Sequence, residues 1–325
     1  MKRRELILGF GCAIASWRAV RAWAQQPGRV YRLGSLFSAP RDAPHHLALG
    51  GELRRAGFIE GENLTIDERG FGLSGAEFTV HATELVSAHV DVIMAGGDAA
   101  VDAAQRATSE IPILALTDDM VGKGFVHSLA KPGGNTTGVT ILASELDGKR
   151  QEILLEAVPG AHRIAALVDR NTSSESHVKA LQEAARTAGV ELSVHSVTRA
   201  ADIATALDEV RSSGAEALNV LASALLFTNR ETILDRVATL HLPAIYQWLE
   251  MATRGGLLGY GPSILQLYKD VQSRQLVRLL RGARPGELPV EQPTKFEFVI
   301  NLKTANALGL SLPQSLLTRA DEVIE

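Results

Sequence analysis

Short runs of β-branched and aliphatic residues alternate along the chain with longer stretches in which alanine and leucine recur at helical spacing. Residues 29–36 read as a strand leading into a helix near 46–56, which Gly57 closes at the usual left-handed stop position. The same unit recurs as 63–69 into 76–87 and 91–95 into 99–108. Residues 111–116 then lead into a turn and short helix near 122–130, with 137–141 as the next strand. The pattern restarts with a helix at 146–157. After it come 163–168, 175–188, 191–197, 201–212, 217–221, 230–240 and 244–246, alternately strand and helix. A long helix over 264–281 and a strand over 296–301 follow. Strands and helices alternating at this spacing predict βαβ units and parallel sheets, and two runs of about five strands predict two doubly wound α/β lobes.

The break between the runs falls near residues 140–144. It follows Lys131-Pro132-Gly133-Gly134-Asn135-Thr136-Thr137-Gly138, a stretch dense in turn formers that serves equally as a tight loop or a hinge. A second crossing is expected at Gly259-Tyr260-Gly261-Pro262 and a third around 284–293, rich in Pro, Gly and Glu. The expected division is 25–141 with about 262–290 in one lobe, and 142–261 with about 291–325 in the other.

The first 24 residues stand apart. Lys2-Arg3-Arg4 is a basic start, an apolar run follows from Leu6 to Ser16, and Ala22-Trp23-Ala24 supplies an Ala-x-Ala cleavage site. The run is interrupted by Arg18 and Arg21 and is too short to span a bilayer core of roughly 30 Å. Export and a periplasmic location are expected, with cleavage near Ala24; Arg3-Arg4 leaves the general and twin-arginine routes both open. The single cysteine, Cys12, lies in this run behind the bulky Phe10, which argues against lipidation. A cleaved chain would hold no disulfide, thiol nucleophile or cysteine metal ligand.

The whole chain carries 33 basic and 37 acidic residues, net −4. Removing the leader takes five basic residues and Glu5, leaving 28 against 36, net −8. An acidic body without a basic cluster argues against nucleic acid as a partner. No second long apolar segment occurs, so no membrane insertion is expected after cleavage.

Enzyme signatures are missing. The Gly96-Gly97-Asp98 turn after a strand does not continue as a Gly-x-Gly-x-x-Gly dinucleotide loop, and no Gly-x-x-x-x-Gly-Lys-Ser/Thr or Gly-x-Ser-x-Gly occurs. The nine histidines are scattered, and the adjacent His45-His46 lack the i, i+4 spacing of a helical metal pair, so surface or capping roles are expected for them. Asp118–Asp119 with Glu250 would serve glycoside hydrolysis only at a suitable separation. Neither catalysis nor a cofactor is expected.

In an open α/β sheet, ligands bind beyond the carboxyl ends of the strands, where helix N-termini offer N–H groups to an anion. In the first lobe those ends are Ser35, Gly96-Gly97-Asp98 and Thr117-Asp118-Asp119. In the second they are Asp169-Arg170-Asn171, Ser223 and Tyr246. Ser35 and the Gly96–Gly97 amides suit a carboxylate. Asp98 suits either an N-cap on a helix beginning at Ala99 or a counter-charge for a ligand ammonium. Asp118 is favoured over Asp119, which is expected to face solvent. Thr140 at the first break and Tyr260 in the second crossing complete the candidate set. Trp248, the one tryptophan outside the leader, either faces a flat ligand or packs under the helix that follows.

Several segments carry a resemblance: the leader ending in Ala24-Gln25-Gln26-Pro27, Gly57-Phe58-Ile59-Glu60-Gly61-Glu62-Asn63, Ala95-Gly96-Gly97, and the loop 131–140. So do Pro243-Ala244-Ile245-Tyr246, Gly259-Tyr260-Gly261-Pro262, Gln292-Pro293-Thr294-Lys295-Phe296 and Arg319-Ala320-Asp321-Glu322. Over nearly its whole length the chain resembles the solute-binding proteins of bacterial ABC transporters, in the family typified by tryptophan and other aromatic amino-acid binders. The resemblance implies two hinged lobes of periplasmic-binding-protein type that close over a small molecule and deliver it to an ABC permease in the inner membrane, without chemistry. Asp98 departs from the family loop, which more often carries Ser or Thr there, and this disfavours a bare anion. An amino acid or related carboxylate is the first expectation. A neutral solute such as a sugar or nucleoside, or a sensor role in which the bound molecule is presented to a receptor, are the alternatives.

Overall fold

In the computed structural model, which describes residues 28–142 and 144–325, the chain builds two α/β lobes. The expected leader, with Cys12, lies outside the described residues. The first sheet contains β1 (Tyr31–Leu36), β2 (Leu64–Ile66), β3 (Val92–Gly96), β4 (Ile113–Thr117) and β5 (Thr136–Thr140). Its order is β2-β1-β3-β4-β5, with every pair parallel. β4 is buried at all five positions, the near-continuous apolar reading of a strand covered by helices on both faces.

The second sheet contains β6 (Arg163–Asp169), β7 (Glu191–Val197), β8 (Ala217–Val220), β9 (Ala244–Tyr246), β10 (Leu258–Gly261), β11 (Glu297–Asn301) and β12 (Glu322–Ile324). Its order is β12-β11-β10-β9-β8-β6-β7, and β10 with β11 is antiparallel among otherwise parallel pairs. Two doubly wound lobes are therefore present, as the alternation predicts.

Three expectations are corrected. Gly259-Tyr260-Gly261 is strand β10, inside the second sheet, and the chain leaves that sheet only at Pro262-Ser263. The glycines mark close approach instead of a turn: a Cβ on Gly261 would lie 2.3 Å from the Gln247 carbonyl oxygen. The long helix is interrupted, with α-helical Ile264–Gln266 and Ser273–Leu280 flanking a π-helical turn, Leu267–Gln272. Residues 122–130 form turns without a helix.

The interrupted helix lies against the first sheet, where Gln272 Nε2 donates to the Ala115 carbonyl at 3.0 Å. The segment after it extends β5, since Glu291 N–H donates to Gly138 O and Glu291 O accepts from Thr140 N–H. The chain then returns to the second sheet at β11. A buried ion pair within the helix Asp147–Ala157 lies beside the crossings. Arg150 Nη2 binds Asp147 at 2.5 Å just after the first crossing, and its Nη1 donates to Tyr260 O at 2.9 Å beside the second.

Candidate ligand-binding site

A cavity of about 110 Å³ lies between the lobes at the carboxyl edges of both sheets. The first lobe contributes Phe37 after β1, Gly97-Asp98 after β3 and Thr117-Asp118 at the end of β4. The second contributes Thr172, Ser223, Phe227, Gln247 and Trp248, and the interrupted helix contributes Tyr268 from its π-helical turn.

Gly97 caps the helix Asp98–Ala107 with φ +87°, a conformation that only glycine adopts without strain. The helix thus starts one residue earlier than expected, and Asp98 is its first residue with no side-chain capping bond. The capping role is set aside. Instead the Asp98 carboxylate accepts from Thr117 Oγ1 and sits 3.1 Å from Lys123 Nζ, with the sign of charge that a helix N-terminus favours.

Asp118 faces the cavity while its carboxylate accepts from the Ser144 N–H at 3.2 Å and from Ser144 Oγ. Asp119 is exposed. Across the cleft, Ser223 lines the cavity and donates to Asp169 Oδ2 at 2.7 Å, and its Oγ accepts from Leu226 N–H. Asp169 itself lies one layer back, buried, where it orients Ser223.

The cavity lacks four other expected residues. Thr140 is buried, and its hydroxyl donates to Asp118 O at 2.6 Å, so it braces the turn behind Asp118. Ser35 is buried and lines a different cavity inside the first lobe. Tyr246 ends β9 with its ring in the core, packed so closely on Gly256 that a Cβ there would approach it to 2.5 Å. Burial pushes its phenol pKa upward. Tyr260 stacks edge-on against Phe298, away from the cavity. The rule that ligands bind at strand ends locates the edge, but it does not say toward which layer the last side chain points.

Trp248 packs under the helix that follows and also lines the cavity. It is buried just ahead of the helix Leu249–Thr253, and its ring lies 5.4 Å from Phe227 along the cavity wall. His45 and His46 are corrections, being buried instead of at the surface. His45 lines the cavity with its ring 4.7 Å from Tyr268. Burial, with His46 and Arg230 nearby, depresses its pKa to about 3. The spacing of His45, Leu49 and Leu53 puts all three on one buried helical face and is a signal that would have located it. Phe37, Gln247 and Tyr268 also escape the sequence, since loop and π-turn positions carry no periodicity, and Phe227 lies in a five-residue helix, Ala224–Thr228, too short to show one.

Among the described residues, no group of three or more His, Cys, Asp or Glu is placed to hold a metal ion, and no helix is long and apolar enough to cross a membrane.

The fold is similar to that of an ABC domain from Streptococcus pneumonia in complex with L-Trp, at TM-score 0.79 and 23% identity, covering 91% of this chain and 100% of that one. A conserved domain protein from Vibrio cholerae O1 biovar eltor matches at TM-score 0.81 and 22% identity, covering 91% and 99%. In sequence, the chain is 27% identical over 263 residues to a tyrosine-binding protein of Clostridioides difficile strain R20291, covering 79% of this chain and 74% of that protein. Residues 50–324 match the family described as ABC transporter substrate binding protein, which spans both lobes and the cleft between them, and the chain belongs to that family.

Proposed function

We propose that this chain captures an aromatic amino acid between its lobes outside the cytoplasm and delivers it to the permease of an ABC importer. The observation that carries this reading is the aromatic wall of the inter-lobe cavity, with Phe227, Trp248 and Tyr268 gathered at the strand ends of both lobes. Flat apolar faces favour a ring, and half-buried carboxylates at Asp98 and Asp118 give the opposite end a place for an ammonium. The first amides of the helix Asp98–Ala107 have no intrahelical acceptor and suit the ligand carboxylate. Relatives named for tyrosine binding and solved with L-Trp support the same class.

At about 110 Å³ the cavity is smaller than the roughly 300–1,000 Å³ of ordinary small-molecule pockets, so entry of an amino acid goes with separation of the lobes. The ligand then stabilises closure only through contacts that the closed form alone offers. Calorimetric titration of protein unfolded and refolded to strip bound ligand tests the reading with L-Trp, L-Tyr, L-Phe, glucose and uridine. Binding confined to the amino acids is the expected result, and binding of glucose or uridine alone would overturn it. Uptake of the bound amino acid should fall when the gene is deleted; unaltered uptake would remove the transport role.

A further inference from the structure

The first lobe holds a second cavity, of about 260 Å³, enclosed by β1, β2 and the helix Pro44–Arg55. Its lining is mainly apolar, with Leu33, Leu53, Phe58 and Met94, but Arg41, Arg54 and Glu60 also border it. Phe37 borders both this recess and the inter-lobe cavity, packed among the rings of His46, Phe71 and Tyr268. Gly50 and Gly51 lie side by side in the helix over the recess, and a Cβ on either would meet no atom within 4 Å. Glycine is the least helix-favouring residue after proline, so this pair goes against local propensity; Gly51 is exposed, and the half-buried Gly50 is the one that leaves room in the recess.

His46 also lines the recess. Its Nδ1 lies 2.9 Å from the Pro40 carbonyl, which can only accept, so Nδ1 carries the proton and Nε2 is left as an acceptor. His46 is only 8% exposed, and its Nε2 has no hydrogen-bond partner among the described residues. A buried acceptor without a donor is a group awaiting one.

We infer that the recess is the compartment for the ligand's side chain: Phe37 swings aside, and a ring bearing an N–H or O–H enters and donates to His46 Nε2. Burial keeps the imidazole neutral, and therefore accepting. The recess thus selects indole and phenol over phenyl, because only the first two satisfy Nε2. This rests on the aromatic amino-acid reading, but it seats the ring beyond the aromatic wall of the cleft, which then frames the way in, and it adds which ring is preferred.

Titration of L-Tyr, L-Trp and L-Phe into the unsubstituted protein, His46→Phe and Gly50→Leu tests it. In the unsubstituted protein, L-Tyr or L-Trp should bind at least tenfold more tightly than L-Phe. His46→Phe should compress that ratio below threefold, and Gly50→Leu, which fills the recess, should weaken all three at least tenfold. If the unsubstituted protein binds none of the three, the function reading itself fails. If it binds them but His46→Phe leaves the ratio unchanged, or Gly50→Leu leaves affinity unchanged, only the recess is refuted. Should a variant not fold, ¹⁵N-histidine labelling of the unsubstituted protein decides. The His46 Nε2 resonance should move on adding L-Tyr and stay in place with L-Phe, and equal shifts, or none with L-Tyr, would overturn the inference.

Discussion

Gly97 of the first lobe and Ala224 of the second meet across the cleft, so closely that a Cβ on Gly97 would lie 3.4 Å from the Ala224 methyl. That is ordinary contact, so the space admits one carbon and little more. Gly97→Val combines two effects. The left-handed φ of +87° imposes strain of about 1–3 kcal/mol on a branched residue, and the extra methyls hold the lobes apart. Amino-acid affinity should fall at least tenfold, and small-angle scattering should show no compaction on adding ligand. Unchanged affinity would mean that this contact is not part of closure.

On the proposed function, Asp98 and Asp118 divide the charge work at the cavity. Asp98 already faces Lys123 at 3.1 Å, whereas Asp118 is held by the Ser144 N–H and hydroxyl. Asp118→Asn should therefore weaken binding of an aromatic amino acid more than tenfold. Asp98→Asn should release the Lys123 ammonium, so that the ligand's deamino acid gains relative to the amino acid itself. Titrating both ligands against both variants checks this, and an identical response from the two variants would refute the division.

How far the sequence reveals this depends on what each residue's neighbours require. β3, β4 and β6 are legible because strands covered on both faces are apolar along their length. β10 is not, because Gly259 and Gly261 look like turn formers when they are in fact glycines admitted by close packing on Leu249 and Gln247. β12 is short and begins with an exposed Glu322, so it shows no alternation to read. At the site, Gly97, Asp98, Asp118 and Ser223 follow from the strand-end rule. Tyr246 does not, since its ring turns into the core while its successors Gln247 and Trp248 reach the cavity.

The Asp147–Arg150 pair beside the crossings is almost wholly buried, at 1% and 0% side-chain exposure. Removing one partner leaves a buried charge, so Arg150→Met should cost about 3–5 kcal/mol in urea unfolding of the unliganded protein. The double variant Asp147→Asn/Arg150→Met should lose less than the sum of the single changes, because neither charge is then stranded. A loss below about 1 kcal/mol for Arg150→Met would show that the pair does not stabilise the fold beside the crossings.

Acid should weaken the fold through His45. In the folded protein its pKa is depressed from 6.5 to about 3, chiefly by burial, with His46 and Arg230 adding repulsion. Tyr268, the other ring against it, is itself held neutral by burial, which raises its pKa. Between those two pH values the unfolded chain binds a proton that the folded chain refuses, so stability falls as pH drops through this window and is fully present above about pH 6.5. One such group contributes on the order of 5 kcal/mol across the whole window. His46, shifted in the same direction by burial, adds to the slope. His45→Leu removes the titrating group from the cavity wall, so the difference in urea stability between variant and unsubstituted protein should widen in the variant's favour from pH 6.5 toward pH 4. Because other carboxylates titrate in both proteins, the difference isolates His45. Parallel stability curves over that range would refute the buried neutral imidazole as the acid-sensitive element of the cleft.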